Sequence, residues 1–119
     1  MEIFKWLEDK SIVQSFVLNT YRNTKAATYI NIKIQLIDSS ELHVKEYLDG
    51  LSRKYAFHWQ KSSGEQIIRW DNAPHFHKLK TFPHHKHIGI ASVEESYDIS
   101  FDDVMKYIKL NLDISISKG

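Results

Sequence analysis

The chain has 119 residues, a formal net charge of +1 and no cysteine. That length suits a single domain, 1–119, with a core of its own, and the missing cysteine excludes disulfides, thiolate metal ligands and a cysteine nucleophile. No run approaches the ~20 apolar residues of a membrane span, and MEIFKWLEDK lacks the basic start and apolar core of a signal peptide, so a cytoplasmic protein is expected.

Ile3, Phe4 and Leu7 have helical spacing, which predicts a short helix within Met1–Lys10. Ser11–Tyr21, rich in Ile, Val and Phe, predicts a first strand, and Arg22–Lys25 a polar turn. From Ala27 to Ile37 the chain alternates. Ile30, Ile32, Ile34 and Leu36 face one way, Asn31, Lys33 and Gln35 the other, as in a half-buried strand. Leu42, Val44, Glu46 and Leu48 oppose His43, Lys45 and Tyr47 in the next strand, where Glu46 is the misfit on the apolar side. For Leu36 and Leu42 to share a face, the loop between them must be odd, such as Asp38–Ser40.

Asp49-Gly50 reverses the chain. Tyr55, Phe57 and Trp59 then alternate with Lys54, Ala56, His58 and Gln60. A two-residue Ser63-Gly64 loop would set Trp59 against Ile68, Phe57 against Trp70 and His58 against Arg69. Ile88–Val93 is read as a sixth strand. Ser100–Leu112 is read as a helix, with Ser100 and Asp103 in a capping pattern and Phe101, Val104, Ile108 and Leu112 at helical spacing. Asp113–Gly119 is read as a frayed tail. The expected fold is α+β: an antiparallel β-meander of about five to six strands, packed on one face by a C-terminal helix and a short N-terminal helix, with a polar working face opposite.

The densest chemistry lies in Arg69–His87, RWDNAPHFHKLKTFPHHKH. It holds five of the seven histidines and both prolines, and no acid occurs from Asn72 to Val93. Three chemistries suit it. One is metal-free phosphodiester cleavage, with one histidine as base, another as acid and cations to steady the phosphorane. Tyr55, Phe76 or Phe82 would stack on unpaired bases. A second is a divalent metal held by the pairs His75/His77 and His85/His87 together with Asp71. The third is structural, with Asp71 and Asn72 simply forming a turn before Ala73-Pro74. Four glycines, none in a GxGxxG array, argue against nucleotide-binding loops.

Phe57-His58-Trp59-Gln60, Gly64, the run Ile67–His75 (IIRWDNAPH) and Thr81–His87 (TFPHHKH) resemble the TumE family. These are toxin components of a prokaryotic type II toxin–antitoxin system. Trp70 stands where that pattern has an aromatic residue after the arginine. The resemblance implies a small cytoplasmic toxin neutralised by a cognate helix-turn-helix antitoxin. RNA is the expected target by analogy with other small toxins of this type. The resemblance assigns no catalytic residues. The residues themselves make His85 and His87 candidate base and acid, with His75 as alternate and Asp71 orienting a histidine. Arg69, Lys86, Asn72, His58 and Lys78 are the candidate phosphate and nucleic-acid contacts. No cofactor is expected in this reading, a divalent metal being the alternative with His75, His77, His85 and His87 as ligands. A non-enzymatic RNA- or protein-binding module is the remaining reading, and a homodimer is compatible with all of them.

Overall fold

The computed structural model describes residues 3–112. It consists of a seven-stranded antiparallel sheet in simple sequential order, with two helices on one face. The elements are α1 (Ile3–Leu7), β1 (Val13–Asn23), β2 (Ala27–Leu36), β3 (Glu41–Asp49), β4 (Ser52–Gln60), β5 (Gln66–Asp71), β6 (His85–Ile88), β7 (Ser92–Glu95) and α2 (Phe101–Asn111). Among these residues no helix is long and apolar enough to cross a membrane. The expected tail beyond Leu112 lies outside the described residues, as do the first two residues of the expected N-terminal helix.

Period two decides the faces. Ile30, Ile32, Ile34, Leu42, Val44, Tyr55, Phe57, Trp59, Ile68 and Trp70 are buried on the helix-covered side. Each such side chain contributes about 1.5–3 kcal/mol by leaving water. Helix α2 closes this face with Phe101, Val104, Met105 and Ile108. Tyr107 makes T-shaped ring contacts with Trp59 and Trp70. Ser100 caps α2 in a reciprocal box with Asp103, satisfying two backbone donors at the helix start. Trp6 donates its indole N–H to Asp102 at 2.8 Å, tying α1 to α2. The misfit Glu46 sits at the rim of the apolar face, where Arg53 pairs with it at 3.1 Å.

The strand count exceeds the expected five to six by one hairpin. Ile88–Val93 is not one strand. The chain turns at Gly89, whose φ of +58° is a backbone state that glycine adopts without strain. The four-residue strands β6 and β7 flank that turn. At the other end, β1 runs on through Arg22 and Asn23, both expected in the turn.

Loop lengths follow parity. Leu36 donates its backbone N–H to the Ser40 carbonyl across an odd, three-residue loop, 37–39, one residue earlier than the expected Asp38–Ser40, and Ser39 adopts φ +72° within it. The β4–β5 loop differs from expectation. Lys61 and Glu65 close a three-residue Ser62–Gly64 loop in place of the two-residue one. A bulge then leaves Ile67 unpaired between Gln60↔Gln66 and Trp59↔Ile68. The extra loop residue and the bulge cancel, so the expected pairs Trp59↔Ile68, Phe57↔Trp70 and His58↔Arg69 all form.

Candidate active site

Arg69 and Asp71 point away from the helices because they alternate with the buried Ile68 and Trp70 on β5. His85 and His87 alternate in the same way on β6. The β5–β6 register sets Asp71 against His85 and Arg69 against His87. Four polar side chains from two neighbouring strands therefore meet on the uncovered face.

Asp71 is the centre of the group and is buried. Its Oδ1 lies 2.9 Å from His85 Nε2, and its Oδ2 lies 3.1 Å from Arg69 Nε and 3.8 Å from His87 Nε2. Oδ1 also accepts the Ala73 N–H at 3.0 Å, so the expected turn at the strand exit is present as well. His85 is 1% exposed and cannot touch a substrate directly. Its Nδ1 lies 3.0 Å from the Pro83 carbonyl oxygen and donates to it. Nδ1 and Nε2 thus both face oxygen atoms, one from the Pro83 carbonyl and one from the Asp71 carboxylate.

His87 keeps about a quarter of its side chain in solvent. Loss of hydration pushes its pKa below the ordinary histidine value. His85 and Arg69 push the same way, and Asp71 opposes them. A neutral, half-buried imidazole beside a guanidinium is suited to accept a proton near pH 7. His58, opposite Arg69 on β4, also has a lowered pKa, first from burial and then from Arg69 and His43. One row across the sheet thus reads Lys33, His43, His58, Arg69, His87.

The loop 72–84 is held at both ends. Asn72 accepts the Tyr55 N–H at 3.0 Å and donates to the Arg53 carbonyl at 2.7 Å. Its amide thus continues the β4–β5 ladder as a surrogate peptide. Tyr55 is in the core, its pKa pushed up to about 12 chiefly by burial, and its hydroxyl meets His84 Nδ1 at 2.9 Å. Phe76 folds back over the centre, its ring 4.7 Å from that of His85 and 5.7 Å from that of His87. Its spacing in the sequence gives no hint of this, because the loop path depends on contacts such as Thr81 with His84 and Ser96.

Several expected site residues lie elsewhere. His75 and His77 are exposed, and His77 stacks on Phe82 at 4.5 Å. They line a shallow groove with Phe76, Lys78 and Val93. The two His-X-His pairs therefore do not assemble into one metal set. Among the described residues, the group able to hold a metal ion is Asp71, His85 and His87, whose ligand atoms lie within 4.8 Å of one another. Lys86, expected beside Arg69, alternates with the two histidines and opposes Trp70, so it faces the α2 side of the sheet.

A family model described as Toxin TumE matches residues 3–112, which take in both strands of the centre, the loop and the closing helix. The chain belongs to the TumE toxin family. No curated protein and no solved structure matches it. Membership makes the chain a toxin and implies an antitoxin partner. In this TumE chain Asp71 of the DNAPH segment and His85 and His87 of the TFPHHKH segment build the centre together with Arg69.

Proposed function

We propose that this toxin cleaves RNA at the Asp71–His87 centre, as the toxin half of a type II system with a helix-turn-helix antitoxin. The observation that carries the reading is the meeting of His87, a partly exposed imidazole of lowered pKa, with Arg69 and the buried Asp71–His85 pair on an uncovered sheet face. His87 takes the proton of the ribose 2′-hydroxyl. The 2′-oxygen bonds to phosphorus and the bond from phosphorus to the 5′-oxygen breaks. The leaving oxygen takes its proton from solvent water, since His75 lies away from the centre. Products are a 2′,3′-cyclic phosphate and a 5′-hydroxyl. Arg69 offsets the charge on the phosphorane oxygens. His85 acts through Asp71 as a positioning residue, since it is sealed from solvent.

The second reading is a metal-dependent one, and a specific geometry favours it. Asp71, His85 and His87 converge, and the His85 Nδ1–H bond to a backbone carbonyl is the outer contact that metal-bound imidazoles commonly make. Against it stands the Arg69 guanidinium already on Asp71 Oδ2. One experiment separates the two: untagged protein is incubated with total RNA with and without chelator, and its metal content is measured. Cleavage indifferent to chelator and lost in His87→Ala supports the first reading. Chelator-sensitive cleavage by protein holding stoichiometric metal supports the second. Undiminished growth arrest by both His87→Ala and Asp71→Asn would remove the centre from either.

A further inference from the structure

A second feature of the uncovered face lies beside the centre and is used by neither reading. Tyr29 on β2 and Tyr47 on β3 are directly opposed, with ring centroids 6.4 Å apart. The same row continues to Arg22 on β1 and to Lys54 on β4. It therefore runs cation, aromatic, aromatic, cation across four strands. Lys45 stands in the next row, between the tyrosines and Asp71. Lys45 and Lys54 are exposed and form no ion pair with a carboxylate among the described residues.

Tyr29, Tyr47, Lys45 and Lys54 line a groove of about 710 Å³ that extends to Arg69 and Asp71. Its two carboxylates are already engaged, Glu46 by Arg53 and Asp71 by Arg69 and His85. Among its described lining residues the groove thus offers cations and aromatic faces with no unpaired carboxylate, while Asp49, outside the lining, accepts the Tyr47 hydroxyl at 3.3 Å. Tyr47 on β3 and Asp71 on β5 stand two strands apart, roughly 10 Å, so one extended polymer spans both.

We propose that this groove binds single-stranded RNA, with bases stacking on Tyr29 and Tyr47 and phosphates meeting Lys45 and Lys54, so that it positions the strand for the Asp71 centre. The proposal rests on the reading of that centre as one that acts on RNA. An acidic peptide would use the cations but leave two neighbouring aromatic faces uncovered, whereas successive bases use both.

The test is binding of a fluorescent 2′-O-methyl oligonucleotide of mixed sequence, which lacks the attacking hydroxyl and scores binding apart from cleavage. Tyr29→Ala and Tyr47→Ala should each weaken it about tenfold. Tyr47→Phe should retain the affinity of the unchanged chain, and Lys54→Gln should lower the salt slope by about one. Lys86→Gln, on the α2 side of the sheet, should bind as the unchanged chain does. All four side chains lie on strands outside the buried core, and thermal melts of the variants check that they fold. Probe binding through the tyrosines without any RNA cleavage would uphold the groove and overturn the cleavage reading. Unchanged affinity in Tyr29→Ala and Tyr47→Ala would overturn the groove. So would loss of antitoxin binding in those variants with RNA binding intact, which would make it a protein-docking surface.

Discussion

His85 and Asp71 form a buried pair across β5 and β6, with Nε2 2.9 Å from Oδ1 and the other ring nitrogen of His85 held by the Pro83 carbonyl. The pair joins two roles. It orients the carboxylate that faces His87, and it pins the far end of the loop to the sheet.

Removing one member of such a pair leaves a buried charge or acceptor without its partner. His85→Ala should destabilise the fold by about 3 kcal/mol, read as a lower urea midpoint. A double-mutant cycle with Asp71→Ala should return a coupling energy of at least about 1 kcal/mol. Additive costs would show that the pair does not act as a unit.

Stability should depend on pH through His58 and His87. Both have folded pKa values below the ordinary 6.5, each chiefly because burial disfavours the charged ring. Below pH 6.5 the unfolded chain therefore binds more protons than the folded one, and unfolding is favoured. Their contribution is fully present above pH 6.5 and is lost as pH falls from there through the lowered folded values. Urea titrations across that window should show the decline, and the His58→Asn/His87→Asn double variant should flatten it. The acid limb of RNA cleavage should likewise have its midpoint below 6.5 if His87 is the base.

Arg69 and Lys86 provide a test of which face does the work. Arg69→Gln should lower the cleavage rate roughly 100-fold, the usual cost of one charge-stabilising donor. Lys86→Gln, on the α2 side, should leave it within a few-fold of the unchanged chain. A large loss from Lys86→Gln alone would place the chemistry on the wrong side of the sheet.

Asn72→Ala should act through stability. It strips a hydrogen bond from the Tyr55 N–H and another from the Arg53 carbonyl, at about 1–3 kcal/mol for a donor or acceptor left bare. Growth arrest should fall only in step with the folded fraction. Loss of cleavage in fully folded Asn72→Ala would instead give the side chain a role on the substrate.

What the chain shows on its own is everything that depends on local period. Alternation from Ile30 to Trp70 assigned each side chain to a face. The Ser100/Asp103 pattern marked the start of the closing helix. Even the β4–β5 pairs came out right, although two unseen deviations, an added loop residue and the bulge at Ile67, had to cancel. The motif match to TumE likewise needed no coordinates.

The site needed the tertiary structure. His75/His77 and His85/His87 have the same spacing, and period two says only that each pair shares a face. Which pair meets Asp71 depends on β6 docking beside β5, and that register is fixed by hydrogen bonds between residues far apart in sequence. The same docking turns Lys86 away from Arg69 and brings Phe76 over His85. Local alternation acts within a strand. The meeting of an acid and an imidazole from different strands is set by how the strands are aligned, and no single segment carries that information.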